Sequence, residues 1–203
     1  MHATLLLTES NTFTLYIDDM LQGLRNSTHG LTDDQARSLP TRSRLSIAGL
    51  IKHTTWVMRG TVLEKGAAEN AGSSTEGIGN FFESFTPTTT ESLADLLAGF
   101  DAARADYLDF ISGLDPAGEY TVGPRPWDNR PDPEQANYRV LLAHHIDEFA
   151  RHAGHADIIR EEIDGAQAMP LKFAVEGRAG NEYVQPWTPN APASAEGESV
   201  PTV

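Results

Sequence analysis

The sequence predicts an all-α fold, a four-helix bundle with long loops between its helices. Apolar residues recur at steps of three and four in four segments, which is the spacing of amphipathic helices. No segment shows a convincing alternation of apolar and polar residues, so strands are not expected. The 203-residue chain is 39% hydrophobic, which is sufficient for one buried core. Metal sites in such bundles lie between facing helices.

The first helix is expected over residues 13–28. Ile17, Met20 and Leu24 are separated by three and four positions, so they share one apolar stripe of this helix. Residues 32–35 then read Thr-Asp-Asp-Gln, which is the spacing of a capping box. They predict one or two short helical turns that connect the first helix to the second.

The second helix is expected over residues 46–65. Leu50, His53 and Val57 fall on a single face of it, which places His53 within an apolar stripe. Residues 66–88 are rich in Gly, Ser, Thr and Ala and lack periodicity, so they predict a long loop. Long loops in compact domains are often functional.

The third helix is expected over residues 88–114. Thr88 and Glu91 have capping-box spacing at its start, and Pro116 lies just beyond its end. Its buried stripe carries six apolar residues: Leu93, Leu97, Phe100, Tyr107, Ile111 and Leu114. Residues 115–131 contain four prolines and predict a second long loop.

The fourth helix is expected over residues 132–164. Asp132 followed by Pro133 gives a cap and then a proline at the first helical position, and Gly165 supplies the stop. The segment is unusually long for one helix, so a break near Asn137 is a second possibility. Either way, the four helices are expected to enclose one core.

One domain is expected over residues 1–187, followed by a disordered tail. Residues 170–187 still carry apolar side chains and are expected to pack across the bundle. Residues 188–203 are rich in Pro, Ser, Ala and Glu and contain almost no apolar side chains that could form a core.

Composition excludes several classes of function. The chain has no cysteine, so thiol chemistry would need a thiol supplied from outside, and disulfides and thiolate zinc sites are excluded. Its net charge of -14 argues against a nucleic-acid partner, because phosphate-binding surfaces concentrate basic residues. No apolar run approaches the length of a signal-peptide core or a membrane span. We therefore expect a cytoplasmic protein without membrane contact.

Candidate metal ligands are concentrated in the fourth helix. Five of them fall within twelve positions: His144, His145, Glu148, His152 and His155. Glu148 and His152 are four residues apart, so they project from one face of the helix and can bind the same ion. His53 is the natural third ligand, because an unpaired imidazole in an apolar stripe would carry a desolvation cost.

Two histidines and one carboxylate leave coordination positions open, which is the pattern of a catalytic metal. Zinc fits this donor set best, and nickel, iron or manganese are alternatives. His144 could be an outer-sphere partner, a further ligand or a substrate contact. The competing interpretation is a solvated helix face with scattered His and Glu, a hydrogen-bonded core histidine at position 53, and Trp56 as core or pocket wall.

Two segments carry a resemblance to a known family. Residues 45–53 read LSIAGLIKH, and residues 144–157 read HHIDEFARHAGHAD. They resemble the signature stretches of the DinB-like superfamily, and more narrowly its actinobacterial branch related to mycothiol-dependent maleylpyruvate isomerase. The resemblance extends over roughly residues 10–187, and the second segment is the more specific.

The resemblance implies a four-helix bundle with a metal bound by His53, Glu148 and His152. Many DinB-like proteins have histidine where this chain has Glu148, whereas the mycothiol-linked branch has glutamate. Members with assigned activities are thiol-dependent transferases or isomerases in which the metal lowers the pKa of a small thiol. A metal-bound thiol is deprotonated and nucleophilic near neutral pH.

The function expected from this resemblance is that of a metal-dependent enzyme. It would activate mycothiol or a similar thiol for transfer to, or isomerisation of, an electrophilic small molecule, with Trp56 and His144 as contacts for the thiol. Two alternatives remain open: a metal-dependent hydrolase and a non-catalytic metal-binding module of the stress response. A homodimer is possible, since bundles often pair through helix faces.

Overall fold

The computed structural model describes residues 6–66, 81–125 and 129–189. Its elements follow in the order α1 (Glu9–Asn26), α2 (Asp33–Arg37), α3 (Ile47–Gly66), α4 (Leu93–Ser112), β1 (Glu119–Val122), β2 (Glu134–Asn137), α5 (Tyr138–Asp164) and α6 (Ala168–Val175). Residues 81–84 form a further helical turn. No helix in these described ranges is long and apolar enough to cross a bilayer.

Four long helices form the bundle, as the sequence predicted. Helix α1 packs mainly against α5, and α3 packs mainly against α4. The apolar stripes of these helices meet in one core, whose largest fully buried apolar side chains are Ile17, Leu21, Leu24, Ile47, Leu50, Ile51, Met58, Phe100, Tyr107, Ile111 and Phe149. The all-α prediction is confirmed, with a small two-stranded sheet added to it.

The predicted capping box is present at the start of α2 but not at the start of α4. Thr32 and Gln35 form the predicted capping box at the start of α2. Helix α4, however, is capped by Ser92 with Asp95 rather than by Thr88 with Glu91. The Glu91 carboxylate instead accepts hydrogen bonds from the backbone N–H of Thr88 and from Lys52, which fixes the loop before the helix.

The prediction of a helix from residue 132 was wrong, because a hairpin occupies that segment. Strand β2 pairs antiparallel with β1, with Glu119 opposite Asn137 and Val122 opposite Glu134. Helix α5 begins at Tyr138, where the Asn137 side chain accepts from a backbone N–H of the first turn. The predicted break near Asn137 is therefore real, and its cause is strand pairing.

The C-terminal segment packs across the bundle through Trp187. Its ring lies against Gly30, edge-on to His29, and within 4.9 Å of the Arg160 guanidinium. Gly30 has φ +75°, and a Cβ at this position would lie 2.8 Å from the Trp187 ring, so only glycine suits this site. Most of the predicted loop at 66–88 and of the tail after 187 lies outside the described residues. The single domain over 1–187 stays a prediction.

Arg160 is the one charged side chain in the described ranges that is completely buried. Its guanidinium forms a bidentate pair with Asp164 and donates to the carbonyl oxygens of Ser27 and His29, at distances from 2.7 to 2.9 Å. Removing this group would deprive the buried carbonyl of Ser27 and the partly buried carbonyl of His29 of this donor.

We expect Arg160→Ala to lower the free energy of unfolding by about 3 kcal/mol or more, because both carbonyls and the Asp164 carboxylate lose their hydrogen bonds to the guanidinium. Urea denaturation measures the loss. Arg151→Ala is the matched control, since Arg151 forms a salt bridge of the same four-residue spacing with Asp147 but is exposed. It should change stability by about 0.5 kcal/mol or less, and equal losses in both variants would contradict the prediction.

A groove of about 270 Å³ runs between α1, α5 and α6. It is lined by small and apolar side chains and by the polar residues Asp19, Asn26, Asp157 and Lys172. Asp157 lies nine residues after Glu148 and so on the opposite face of α5. Burial, reinforced by the nearby Glu161 charge, raises the pKa of Asp157 to about 6. The groove is therefore separate from the face of α5 that carries the predicted ligands.

We expect Asp157→Asn to stabilise the protein at pH 7.5 by about 1 kcal/mol, after allowing for solvent screening of a half-exposed group. The folded-state pKa lies above the unfolded value of about 3.9, so the wild type loses stability as pH rises through 6. The asparagine side chain of the variant is uncharged at every pH. The stability difference between variant and wild type should therefore vanish near pH 4, where Asp157 is protonated in the folded wild type. Urea unfolding at both pH values checks this, and a constant difference between the two proteins would refute it.

Candidate metal centre

Three side chains from two helices converge at one point inside the bundle. His53 lies on α3, and Glu148 and His152 lie one turn apart on α5. Their ligand atoms all lie within 4.8 Å of one another. The Nε2 atoms of His53 and His152 lie 3.2 Å and 3.0 Å from the same Glu148 Oε1. The structure thus brings together the three residues that the sequence predicted as ligands, and we call them the triad.

The helices that carry the triad explain its partial burial. The His53 side chain is only 1% exposed, because it lies on the core-facing stripe of α3. His152 and Glu148 stand at the edge of the buried stripe of α5, and their side chains are 10% and 23% exposed. Solvent or a small molecule therefore reaches the triad from the α5 side.

Ser84 fixes the protonation pattern of His53. The Ser84 hydroxyl donates its only proton to the carbonyl of Phe81 at 2.5 Å, because a carbonyl can only accept. At its other contact, 2.8 Å from His53 Nδ1, Ser84 Oγ must then accept. Nδ1 therefore carries the proton, and in the neutral ring the lone pair of Nε2 points toward Glu148. This arrangement orients the imidazole as outer-sphere partners orient metal-binding histidines.

The charges in the triad follow from its burial and hydrogen bonds. The imidazoles of His152 and His53 hold the pKa of Glu148 far below its usual range. Burial lowers the pKa of His53, although the Glu148 carboxylate opposes this shift, because it would accept a hydrogen bond from a protonated Nε2. The carboxylate is therefore ionised near neutral pH, and the neutral form of His53 is favoured.

This donor set fits a divalent metal. The lone pair of His53 Nε2 faces a carboxylate oxygen, and a cation between two such acceptors would satisfy both. Ligand atoms around a tetrahedral zinc ion lie about 3.3 Å apart, given bond lengths of about 2.0–2.2 Å. The observed separations of 3.2 Å and 3.0 Å are close to this spacing. That the triad binds a metal stays a prediction, but its residues suit one.

Aromatic side chains enclose His53. Phe85 stacks on the imidazole with ring centroids 3.7 Å apart, and Phe81 meets it edge-on at 5.4 Å. Trp56 stacks at the longer distance of 6.0 Å. Ser84 was not predicted at the site, because nothing in sequence spacing links position 84 to position 53.

The other predicted contacts lie at the margin of the triad. Trp56 is 42% exposed and touches His53 and Phe81, so it forms a wall rather than part of the core. His144 is exposed, one turn before Glu148, and its ring lies 5.8 Å from that of His145. Their assignment to thiol binding stays a prediction.

The two remaining histidines of α5 differ in their surroundings. His145 is buried and hydrogen-bonded to the Tyr107 hydroxyl at 2.6 Å, so it belongs to the core. The ring of His155 lies 5.9 Å from that of His152. The Nδ1 atoms of His152 and His155 are buried without a hydrogen-bond partner in the described part of the chain.

The fold and the triad together define a four-helix bundle with a candidate metal centre. The chain belongs to the mycothiol-S-transferase family, whose sequence model matches residues 12–165. This match confirms the resemblance that the two sequence segments indicated.

A solved structure supports the fold independently. A conserved protein from Enterococcus faecalis superposes with a TM-score of 0.54 and 15% sequence identity, covering 79% of this chain and 99% of that chain. At this identity the likeness concerns the fold alone. No curated protein is significantly similar to this chain in sequence.

We expect Ser84→Ala to weaken metal binding about 10- to 100-fold, because the variant no longer fixes the tautomer and ring orientation of His53. Competition with a chromophoric chelator measures the affinity. Ser84→Thr keeps the hydroxyl and serves as the control, with affinity close to wild type. Nitrogen chemical shifts of His53 should show the Nδ1–H tautomer in wild type, and an unchanged affinity in Ser84→Ala would disprove this role.

Proposed function

We propose that this protein is a metal-dependent mycothiol S-transferase whose ion is held by His53, Glu148 and His152. The observation that carries the proposal is the convergence of two imidazole nitrogens on one ionised carboxylate, in a chain of the mycothiol-S-transferase family. Zinc suits these nitrogen and oxygen donors best, and nickel, iron and manganese are the other candidates.

The chain supplies no thiol of its own, because it has no cysteine. The reaction therefore joins an external thiol to an electrophile. The new bond forms between the thiol sulfur and an electrophilic carbon, the S–H proton is released, and the leaving group departs with the electrons of its bond. A divalent metal at the triad would lower the pKa of a thiol that reaches it.

Each residue of the triad has a definite task in this scheme. His53 is held by Ser84 and the aromatic rings, so it fixes the inner side of the site. Glu148 supplies the negative charge that balances the cation, and His152 completes the donor set. Three protein ligands would leave the ion accessible to an incoming thiol on the side where Glu148 and His152 are partly exposed.

His144 is proposed to contact the polar part of the thiol. It lies one turn before Glu148 on α5 and is exposed, so its imidazole is available to hydrogen-bond acceptors and donors of a bound molecule. This assignment concerns binding and not proton transfer.

We expect Glu148→Gln to lower metal affinity at least tenfold and to abolish thiol transfer, because the site loses its only negative charge. Asp147→Asn is the matched control: this neighbouring carboxylate is exposed and paired with Arg151, and its loss should change neither property. Elemental analysis after zinc loading and mycothiol consumption with iodoacetamide are the two measurements.

His53→Ala and His152→Ala should lose the metal as Glu148→Gln does. Equal metal content in all variants would refute the ligand assignment. Metal-dependent turnover of an ester or amide without added thiol would favour hydrolysis over transfer.

A further inference from the structure

Three aromatic side chains form an exposed surface beside the triad, which we call the aromatic rim. Trp56, Phe81 and Phe82 are 42%, 40% and 67% exposed. The rings are continuous, since Trp56 lies 6.1 Å from Phe81 and Phe81 lies 5.4 Å from Phe82. Contiguous exposed apolar groups of this kind mark binding sites more often than isolated ones do.

The aromatic rim directly adjoins the candidate metal centre. Phe81 and Trp56 both contact the His53 ring, so the rim begins at a proposed ligand and extends outward to Phe82. A molecule that reacts at the triad and is larger than a few atoms would therefore touch these rings. Their faces and edges suit planar apolar groups, which bind aromatic side chains by stacking and edge contacts.

The local charges disfavour an anionic partner for this surface. Arg59, one turn after Trp56, donates to the carbonyl of Gly99 on α4 at 3.3 Å. Lys52, one position before His53, is held by Glu91 at 2.9 Å and by the carbonyl of Thr86. The net charge of -14 further lowers the local concentration of anions.

We propose that the aromatic rim binds the electrophilic substrate, and that this substrate is an uncharged aromatic or planar apolar compound rather than a carboxylate. The proposal rests on the transferase function above, since it names the second substrate of the same site. It assigns Trp56 to the electrophile, whereas the sequence alone assigned this residue to the thiol.

A binding experiment tests the aromatic rim without catalysis. The probe is 1,3-dinitrobenzene, an uncharged aromatic compound without a leaving group, titrated into the zinc-loaded full chain by calorimetry. We expect Phe82→Ala and Trp56→Ala to raise its Kd about five- to tenfold. Trp56→Phe, which keeps an aromatic ring, and Tyr183→Ala, which removes an aromatic side chain that is 85% exposed elsewhere, should stay within about twofold of wild type.

Kinetics provide the second measurement. With mycothiol as the thiol, the same two alanine variants should raise KM for 1-chloro-2,4-dinitrobenzene about five- to tenfold. They should lower kcat/KM for iodoacetamide, which is small and polar, by a smaller factor, and Tyr183→Ala should leave both activities within about twofold of wild type. Failure of transfer to iodoacetamide would refute the proposed function and leave the binding measurement valid. Absence of dinitrobenzene binding by wild type, or an unchanged Kd in both alanine variants, would overturn the proposal for the rim.

Discussion

The site depends on one constraint: the buried imidazole of His53 must find a partner for each of its two nitrogens. Ser84 accepts from Nδ1 on one side, and on the other side the lone pair of Nε2 faces the Glu148 carboxylate, so a shared cation would be its partner. An unpaired nitrogen in this position would carry a desolvation cost. Satisfying both therefore ties α3 to α5 and to the helical turn at residues 81–84, which together enclose the triad.

This constraint also accounts for the aromatic surroundings. The turn that delivers Ser84 carries Phe81 and Phe85, and both rings pack against the imidazole that Ser84 orients. Low polarity near His53 would strengthen the attraction between a bound cation and its ligands, because fewer water dipoles screen it. The same segment thus determines the tautomer of His53 through Ser84. Its phenylalanines also make the surroundings of the imidazole apolar.

The helices and the Glu148–His152 half of the triad could be predicted from local spacing, whereas His53 was assigned from its apolar stripe and from the family resemblance. Apolar periodicity identified the four long helices, and the four-residue step from Glu148 to His152 identified one half of the site. The hairpin that replaces the first turns of the fourth helix could not be predicted, because strand β2 depends on pairing with β1. Ser84 was missed for the same reason: its role depends on a contact 31 residues away in sequence.

The distance along the chain between the two halves of the triad has a physiological consequence. His53 and Glu148 are separated by 95 residues, so an ion shared between them would act as a reversible cross-link that closes a long loop. Such an ion binds the folded chain and not the unfolded one, so its free concentration adds to stability by mass action. The lifetime of the protein in a cell would then follow the supply of its metal, and starvation for that metal would lower abundance as well as activity.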